Sequence, residues 1–126
     1  MEYRGKKKKI QSFTDLVAWK EGHQLVLMIY QITSKFPKRE TYGLVSQMQR
    51  CAVSITSNIA EGFSRQGKKE KKQFYSTAKG SLTELQNQLL IARDVGYINA
   101  NQFELIANQT IKVSRLLTGL KKSLIK

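Results

Sequence analysis

Apolar residues recur at steps of three and four through most of the chain, and the rhythm breaks at three places: Pro37, "FSRQGKK" at 63–69, and Gly96. Steps of three and four stack side chains on one face of an α-helix, whereas a half-buried strand needs alternation by two. No segment sustains two-residue alternation with hairpin turn signals. Four helices separated by three breaks make an all-α, antiparallel up-down four-helix bundle the expected fold. One long coiled coil would need the rhythm to continue through the breaks. At 126 residues the chain is long enough for one domain with a real core and too short for two.

The first helix is expected from near Thr14 to "KFPK", where Pro37 stops it. It carries two adjacent stripes: Leu16, Trp19, His23, Val26, Tyr30 and Thr33 beside Ala18, Gly22, Leu25, Ile29, Ile32 and Phe36. That surface is wider than one core seam needs and predicts burial on two sides. The second helix is expected over about 41–63, with Leu44, Met48, Cys51, Ile55 and Ile59 as its seam. The third starts around "GKKEKKQFY" and runs to Gly96, a residue suited to a left-handed helix stop. Asn99 and Gln102 are spaced for a capping box that opens the fourth, whose seam is Phe103, Ile106, Thr110, Val113, Leu117, Leu120 and Leu124. Residues 1–12 are expected to form a basic tail and 13–126 the bundle.

The formal net charge of +13, from 22 Lys+Arg against 9 Asp+Glu, favours a polyanionic partner. It is unevenly distributed. Residues 1–9, with Arg4, Lys6, Lys7, Lys8 and Lys9, carry net +4. Residues 65–72, with Arg65, Lys68, Lys69, Lys71 and Lys72, also carry net +4, and Lys121, Lys122 and Lys126 add +3. In an up-down bundle the start of helix 1, the helix 2–3 connection and the end of helix 4 meet at one pole. Three distant clusters then become one surface able to bind phosphates of RNA or DNA. No aromatic-rich RNA-recognition signature accompanies the lysines, so shape and charge would dominate. Anionic lipid is a weaker alternative partner.

Other chemistry finds little support. Cys51 is the one cysteine and sits on an apolar face, which suits core packing in a reducing compartment. His23 is the one histidine, and no companion ligands suggest a metal site. The basic start "RGKKKKI" is not followed by a signal-peptide core, and the longest apolar run, "LVLMIY" at 25–30, is too short to cross a membrane. A cytoplasmic protein without a transmembrane segment is expected, with no cofactor.

Helix 2 also carries a polar stripe. Gln47, Arg50, Ser54, Asn58 and Glu61 lie within a band of ~80° beside the apolar seam. No activated nucleophile, second carboxylate at helical spacing or phosphate-cradling glycine loop accompanies it, so no catalytic residues are assigned and no enzyme is expected. Arg50 and Glu61 are ~16 Å apart along the axis and cannot pair within the helix. Arg50 is expected to pair with Glu84 or Glu61 across helices 2 and 3 or across a subunit boundary. Ala78, Gly80 and Ser81 are small enough to admit a neighbouring backbone.

The stretch "YGLVSQMQRCAVSITSNIAEGF" (42–63) resembles the signature of the 23S rRNA intervening-sequence protein family, also called the four-helix bundle protein family. "FTDLVAWKEG", "IYQIT" with "FPKRE", "AKGSLTEL" and "VGYI" extend the resemblance over about residues 13–125. Gln47, Arg50, Ser54, Asn58, Glu61, Gly62, Gly80, Ser81 and Glu84 match the family pattern. The resemblance implies a left-handed up-down bundle that assembles into homo-oligomers, commonly pentamers. Members can be encoded within 23S rRNA gene insertions, and their biochemical role is largely uncharacterised. The family is similar in fold to the accessory variability protein of diversity-generating retroelements, a basic pentamer that binds nucleic acid and a reverse transcriptase. Three positions depart from the pattern. Lys71 stands where a large apolar residue is usual and Gly67 where a capping Ser or Thr is common, which predicts fraying at the start of helix 3. Gly22 replaces an Ala, weakening helix 1 by up to roughly 1 kcal/mol unless close packing requires it.

Nucleic-acid binding by a homo-oligomer, through Lys6 to Lys9, Arg65, Lys68, Lys69, Lys71, Lys72, Lys121 and Lys122, is therefore the leading expectation. A protein-interaction scaffold built on Trp19, Tyr30 and the double stripe of helix 1 is the alternative.

Overall fold

The computed structural model describes residues 9–125. Four α-helices follow in order: α1 (Val17–Thr33), α2 (Leu44–Ser64), α3 (Lys68–Asp94) and α4 (Ala100–Ser123). Short 3-10 turns at Phe13–Asp15 and Lys38–Glu40 precede α1 and α2. The described residues contain no strand.

Helix ends follow local chemistry. Thr14 falls in the first 3-10 turn, which Ser12 and Asp15 close as a capping box, so α1 begins three residues later than expected. Residues 41–43 form a turn, and α2 starts only at Leu44, whose N–H donates to Glu40 Oε1 at 3.1 Å. α3 ends in a Schellman motif: Gly96 at φ 87° donates to Arg93 O and Tyr97 N–H donates to Ala92 O. Asn99 and Gln102 form the capping box of α4. α3 is helical from Lys68 onward, despite having no side-chain cap at Gly67.

Each helix packs on two neighbours in a closed cycle, α1–α2–α3–α4–α1. The fully buried side chains Leu25, Ile29, Met48, Ile55, Ile59, Leu82, Leu85, Leu89, Ile106, Val113 and Leu117 fill the space between them. Specific contacts fix the register. Gln49 Nε2 donates to Thr33 Oγ1 at 3.1 Å, Ser54 Oγ meets Ser81 Oγ at 2.9 Å, and Lys79 Nζ donates to Thr118 Oγ1 at 2.8 Å. Gln109 Nε2 closes the cycle on Glu21, at 2.9 Å to its carbonyl and 3.0 Å to its carboxylate.

Two glycines mark where backbones come close. A Cβ at Gly62 would lie 2.6 Å from Cε1 of Tyr75, so α2 and α3 can pack here only without a side chain. At Gly22 a Cβ would lie 3.1 Å from Cγ2 of Thr56, a contact tight enough that α2 would have to give slightly to admit alanine. The two stripes of α1 have different fates. Ala18, Gly22, Leu25, Ile29 and Phe36 are buried, whereas Trp19 and Val26 are only half-buried and His23 and Tyr30 are exposed.

Candidate nucleic-acid interface and the polar seam

The two ends of the cycle differ in composition. At one end, Leu16, Val17 and Ala18 share a groove with Arg115, Leu116, Gly119, Leu120 and Ser123, which sets the start of α1 beside the last turns of α4. The first 3-10 turn packs on α2. Gly22, in the first half of α1, lies against Thr56 and Ile59, in the second half of α2.

Among the basic candidates, Lys6, Lys7 and Lys8 lie outside the described residues. Lys9, Arg65, Lys68, Lys69, Lys72 and Lys122 are exposed, and Lys121 is half-buried. Lys69 and Lys72 line a groove of about 500 Å³ with Gln73, Ser76 and Thr77. Neither enters an ion pair among the described residues. Lys121 and Lys122 sit in the last turn of α4, where a cation complements the helix dipole. Arg65 is partly committed: it pairs with Glu61 at 2.9 Å and lies 4.9 Å from the centre of the Phe74 ring.

Lys71 behaves differently from its neighbours. Its Nζ donates to Phe63 O at 2.7 Å and to Gly62 O at 3.2 Å, and lies 5.4 Å from the centre of the Phe63 ring. These carbonyls lie in the last turn of α2; Gly62 O also accepts from the Arg65 N–H at 3.2 Å, and the ammonium gives both carbonyls a further donor while the lysine side chain is half-buried. This corrects two expectations. The lysine that replaces an apolar residue ties α3 to α2 rather than fraying it, and its charge is engaged within the fold rather than held out for phosphate.

The polar stripe of α2 lies against α3. Asn58 Nδ2 donates to Ser54 O at 2.8 Å and to Ser54 Oγ at 3.1 Å, and Ser54 Oγ bonds Ser81 Oγ. Gln47, Arg50, Cys51, Ser54, Ser81, Glu84 and Gln88 line a groove of about 370 Å³. Arg50 and Glu84 are both exposed and neither enters an ion pair among the described residues. The expected pairing of Arg50 with Glu84 or Glu61 across α2 and α3 is therefore absent within the chain. Glu61 takes Arg65, one helical turn away, instead. Gly80 also differs from expectation, because a Cβ there would meet nothing within 4 Å. The close approach of α3 to α2 is at Gly62, while Gly80 faces outward.

Sequence reasoning missed Gln88. Its Oε1 is buried without a hydrogen-bond partner. The signal was its position four residues after Glu84, on the same helix face. Burial pushes the neighbouring Cys51 thiol up from its ordinary pKa, only partly offset by a hydrogen bond from Gln88. The thiol is thus a poor nucleophile. Among the described residues no group of three or more His, Cys, Asp or Glu could hold a metal ion. No helix among them is long and apolar enough to cross a membrane.

A model of the 23S rRNA-intervening sequence protein family matches residues 14–119. A solved structure from Bacteroides thetaiotaomicron, described as a protein of unknown function from the S23 ribosomal protein family, superposes with a TM-score of 0.77 at 20% identity. The match covers 84% of this chain and 96% of that one, and it establishes a shared fold. No curated protein shows significant similarity to the chain.

Proposed function

The chain belongs to the 23S rRNA-intervening sequence protein family, and from that premise we propose a non-enzymatic, cytoplasmic homo-oligomer that binds nucleic acid, RNA by preference, through one basic pole. The bundle is read as antiparallel and up-down. In support, later residues of one helix meet earlier residues of the next: Thr33 meets Gln49 while Gly22 meets Thr56, and Lys79 meets Thr118 while Gln86 meets Thr110. The observation that carries the functional reading is the gathering of the α1 start, the α2–α3 connection and the α4 end in a chain of net charge +13. Lys9, Lys68, Lys69, Lys72 and Lys122 then form one exposed cationic surface, and Lys6, Lys7 and Lys8 precede it in the sequence.

Assembly multiplies such a surface. A ring of subunits, five by preference, holds several weak phosphate-binding poles together and gains avidity without any base reader. The α2–α3 face offers the contact: among the described residues Arg50 and Glu84 enter no ion pair, Gly80 has no neighbour where a Cβ would sit, and Gln88 Oε1 has no hydrogen-bond partner. In this reading the Arg50 partner is a carboxylate of a second copy.

Binding of a structured RNA across a salt series tests the proposal. The native protein is compared with a variant carrying Gln at Lys6, Lys7, Lys8, Lys9, Lys68, Lys69 and Lys72. Steep salt dependence in the native protein, flattened in the variant, is the expected result. An absence of binding even at low salt would sink it. A scaffold role is the second reading, favoured by the exposed Leu27, Tyr30, Tyr42 and Val53 on the α1–α2 side.

A further inference from the structure

Phe13, Trp19 and His23 form a ladder of rings at the basic end of α1. Phe13 meets Trp19 edge-on, with centroids 5.4 Å apart and planes at 69°. Trp19 stacks on His23 with centroids 4.8 Å apart and planes at 14°. The inner two rings are half-buried and lean on the hydrophobic core, while His23 is exposed. His23 makes no hydrogen bond or ion pair among the described residues. Core packing accounts for Phe13 and Trp19. It does not account for an exposed imidazole laid flat on an anchored indole.

Such an imidazole is a preorganised flat surface, held in orientation by rings that cannot move without disturbing the core. Two lysines lie near it in the chain, while the acids of the same segment are engaged: Asp15 accepts from the N–H groups of Gln11 and Ser12, and Glu21 meets Gln109 and Lys112. Lys20, three residues before His23, shares its helix face and is exposed. Lys9 is exposed four residues before Phe13, on the chain that leads into the ladder. Neither enters an ion pair among the described residues. A flat exposed ring, with one exposed lysine on its helix face and another on the segment before the ladder, complements a nucleobase joined to phosphodiesters.

We infer that the Phe13–Trp19–His23 ladder is a base-stacking platform for single-stranded nucleic acid. An unpaired base stacks on His23, and the adjoining phosphates meet Lys20 and Lys9. A base inside a duplex has both faces covered by its neighbours, so the platform selects single strands. Stacking reads the base and not the sugar, so the preference for RNA comes from the basic pole and not from the platform. The inference rests on the nucleic-acid reading above and specifies which form that reading takes.

Trp19 is the one tryptophan of the chain, so its fluorescence reports on the ladder alone. Labelled twelve-residue oligo(dT) and oligo(U), and a duplex of the same length, are titrated into the full chain at low salt. Anisotropy follows binding and Trp19 emission follows stacking. Both single strands are expected to quench Trp19 saturably, and the duplex to bind without quenching. His23→Ala should weaken single-strand binding about tenfold, with duplex binding and salt slope unchanged. His23→Phe, which keeps a flat ring, should restore single-strand binding. Single-strand binding without quenching, and indifferent to His23→Ala, would overturn the platform while leaving the nucleic-acid reading intact. Failure of every oligonucleotide to bind would overturn both and leave the α1 face to a protein partner.

Discussion

At one end of the bundle the polar groups face one another; at the other they face outward. Where α1 ends and α4 begins, Glu40 Oε2 accepts from the Tyr97 hydroxyl at 2.8 Å while its Oε1 accepts from Leu44 N–H. Phe36 packs on the Tyr97 ring with centroids 5.1 Å apart, and Ile98 is buried behind them. Arg93 lies 4.6 Å from the centre of the Phe103 ring and pairs with Asp94. One carboxylate thereby ties together the 3-10 turn, the start of α2 and the α3–α4 connection. Where α2 ends and α3 begins, Lys71 makes a comparable tie. Lys69 and Lys72 are left exposed without an ion pair among the described residues. The contrast separates two kinds of surface: the latched end ties its connections together, and the basic end leaves the charge that the proposed binding would use exposed.

Breaking the latch should cost the most. Phe36 is buried between α1 and Tyr97, so Phe36→Ala removes a ring from a packed site that α3 and α4 cannot refill. A loss of about 3 kcal/mol or more is expected in urea-induced unfolding. Because Phe36 is remote from the lysine clusters, RNA affinity of the folded fraction should not change. A joint loss of stability and binding would show that the two ends are not separable.

Lys71→Ala gives a smaller effect and a sharper one. It leaves the carbonyls of Gly62 and Phe63 without their ammonium and should destabilise by about 1 kcal/mol. Lys69→Ala and Lys72→Ala should do the reverse, leaving stability nearly unchanged and lowering the salt slope of RNA binding by about 0.7–0.9 each. If Lys71→Ala lowers the slope as much as its neighbours do, the division between a structural lysine and binding lysines is wrong.

That division shows what can be read in the chain before its structure. The four helices, the Gly96 stop and the Asn99–Gln102 cap were legible because each depends on neighbours a few residues away. The core faces were legible because period and burial coincide, as at Ile55, Ile59, Leu85 and Leu89. What Lys71, Arg50 and Gly80 do was not, because each depends on where another helix or chain lies. Lys71 reads as one more charge in a cluster until the end of α2 is placed beside it. Arg50 and Glu84 read as a pair until they are found exposed in one groove without forming an ion pair. The Phe13–Trp19–His23 ladder was half legible: Trp19 and His23 are four residues apart on one helix, but Phe13 joins them only through the 3-10 turn before α1.

The smallest expected effect tests the latch through pH. Hydrogen bonds from Tyr97 and from the Leu44 N–H hold the Glu40 carboxyl below its ordinary range. The same contact with Glu40 raises the Tyr97 phenol above its ordinary range. The two shifts have opposite consequences. A depressed carboxyl adds stability above its unfolded pKa, near 4.3, and that stability is lost as pH falls through the lower folded value. A raised phenol favours the folded state while protonated, and that advantage is lost as pH rises beyond about 10. The latch should therefore hold between mildly acid and mildly alkaline pH and loosen on both sides. Tyr97→Phe keeps the ring against Phe36 but removes the hydroxyl, so Tm should fall slightly at neutral pH and depend less on pH at both extremes. A Tm profile for Tyr97→Phe that parallels the native one across the whole range would mean that Phe36 and Ile98 hold this end by packing alone, with the carboxylate incidental.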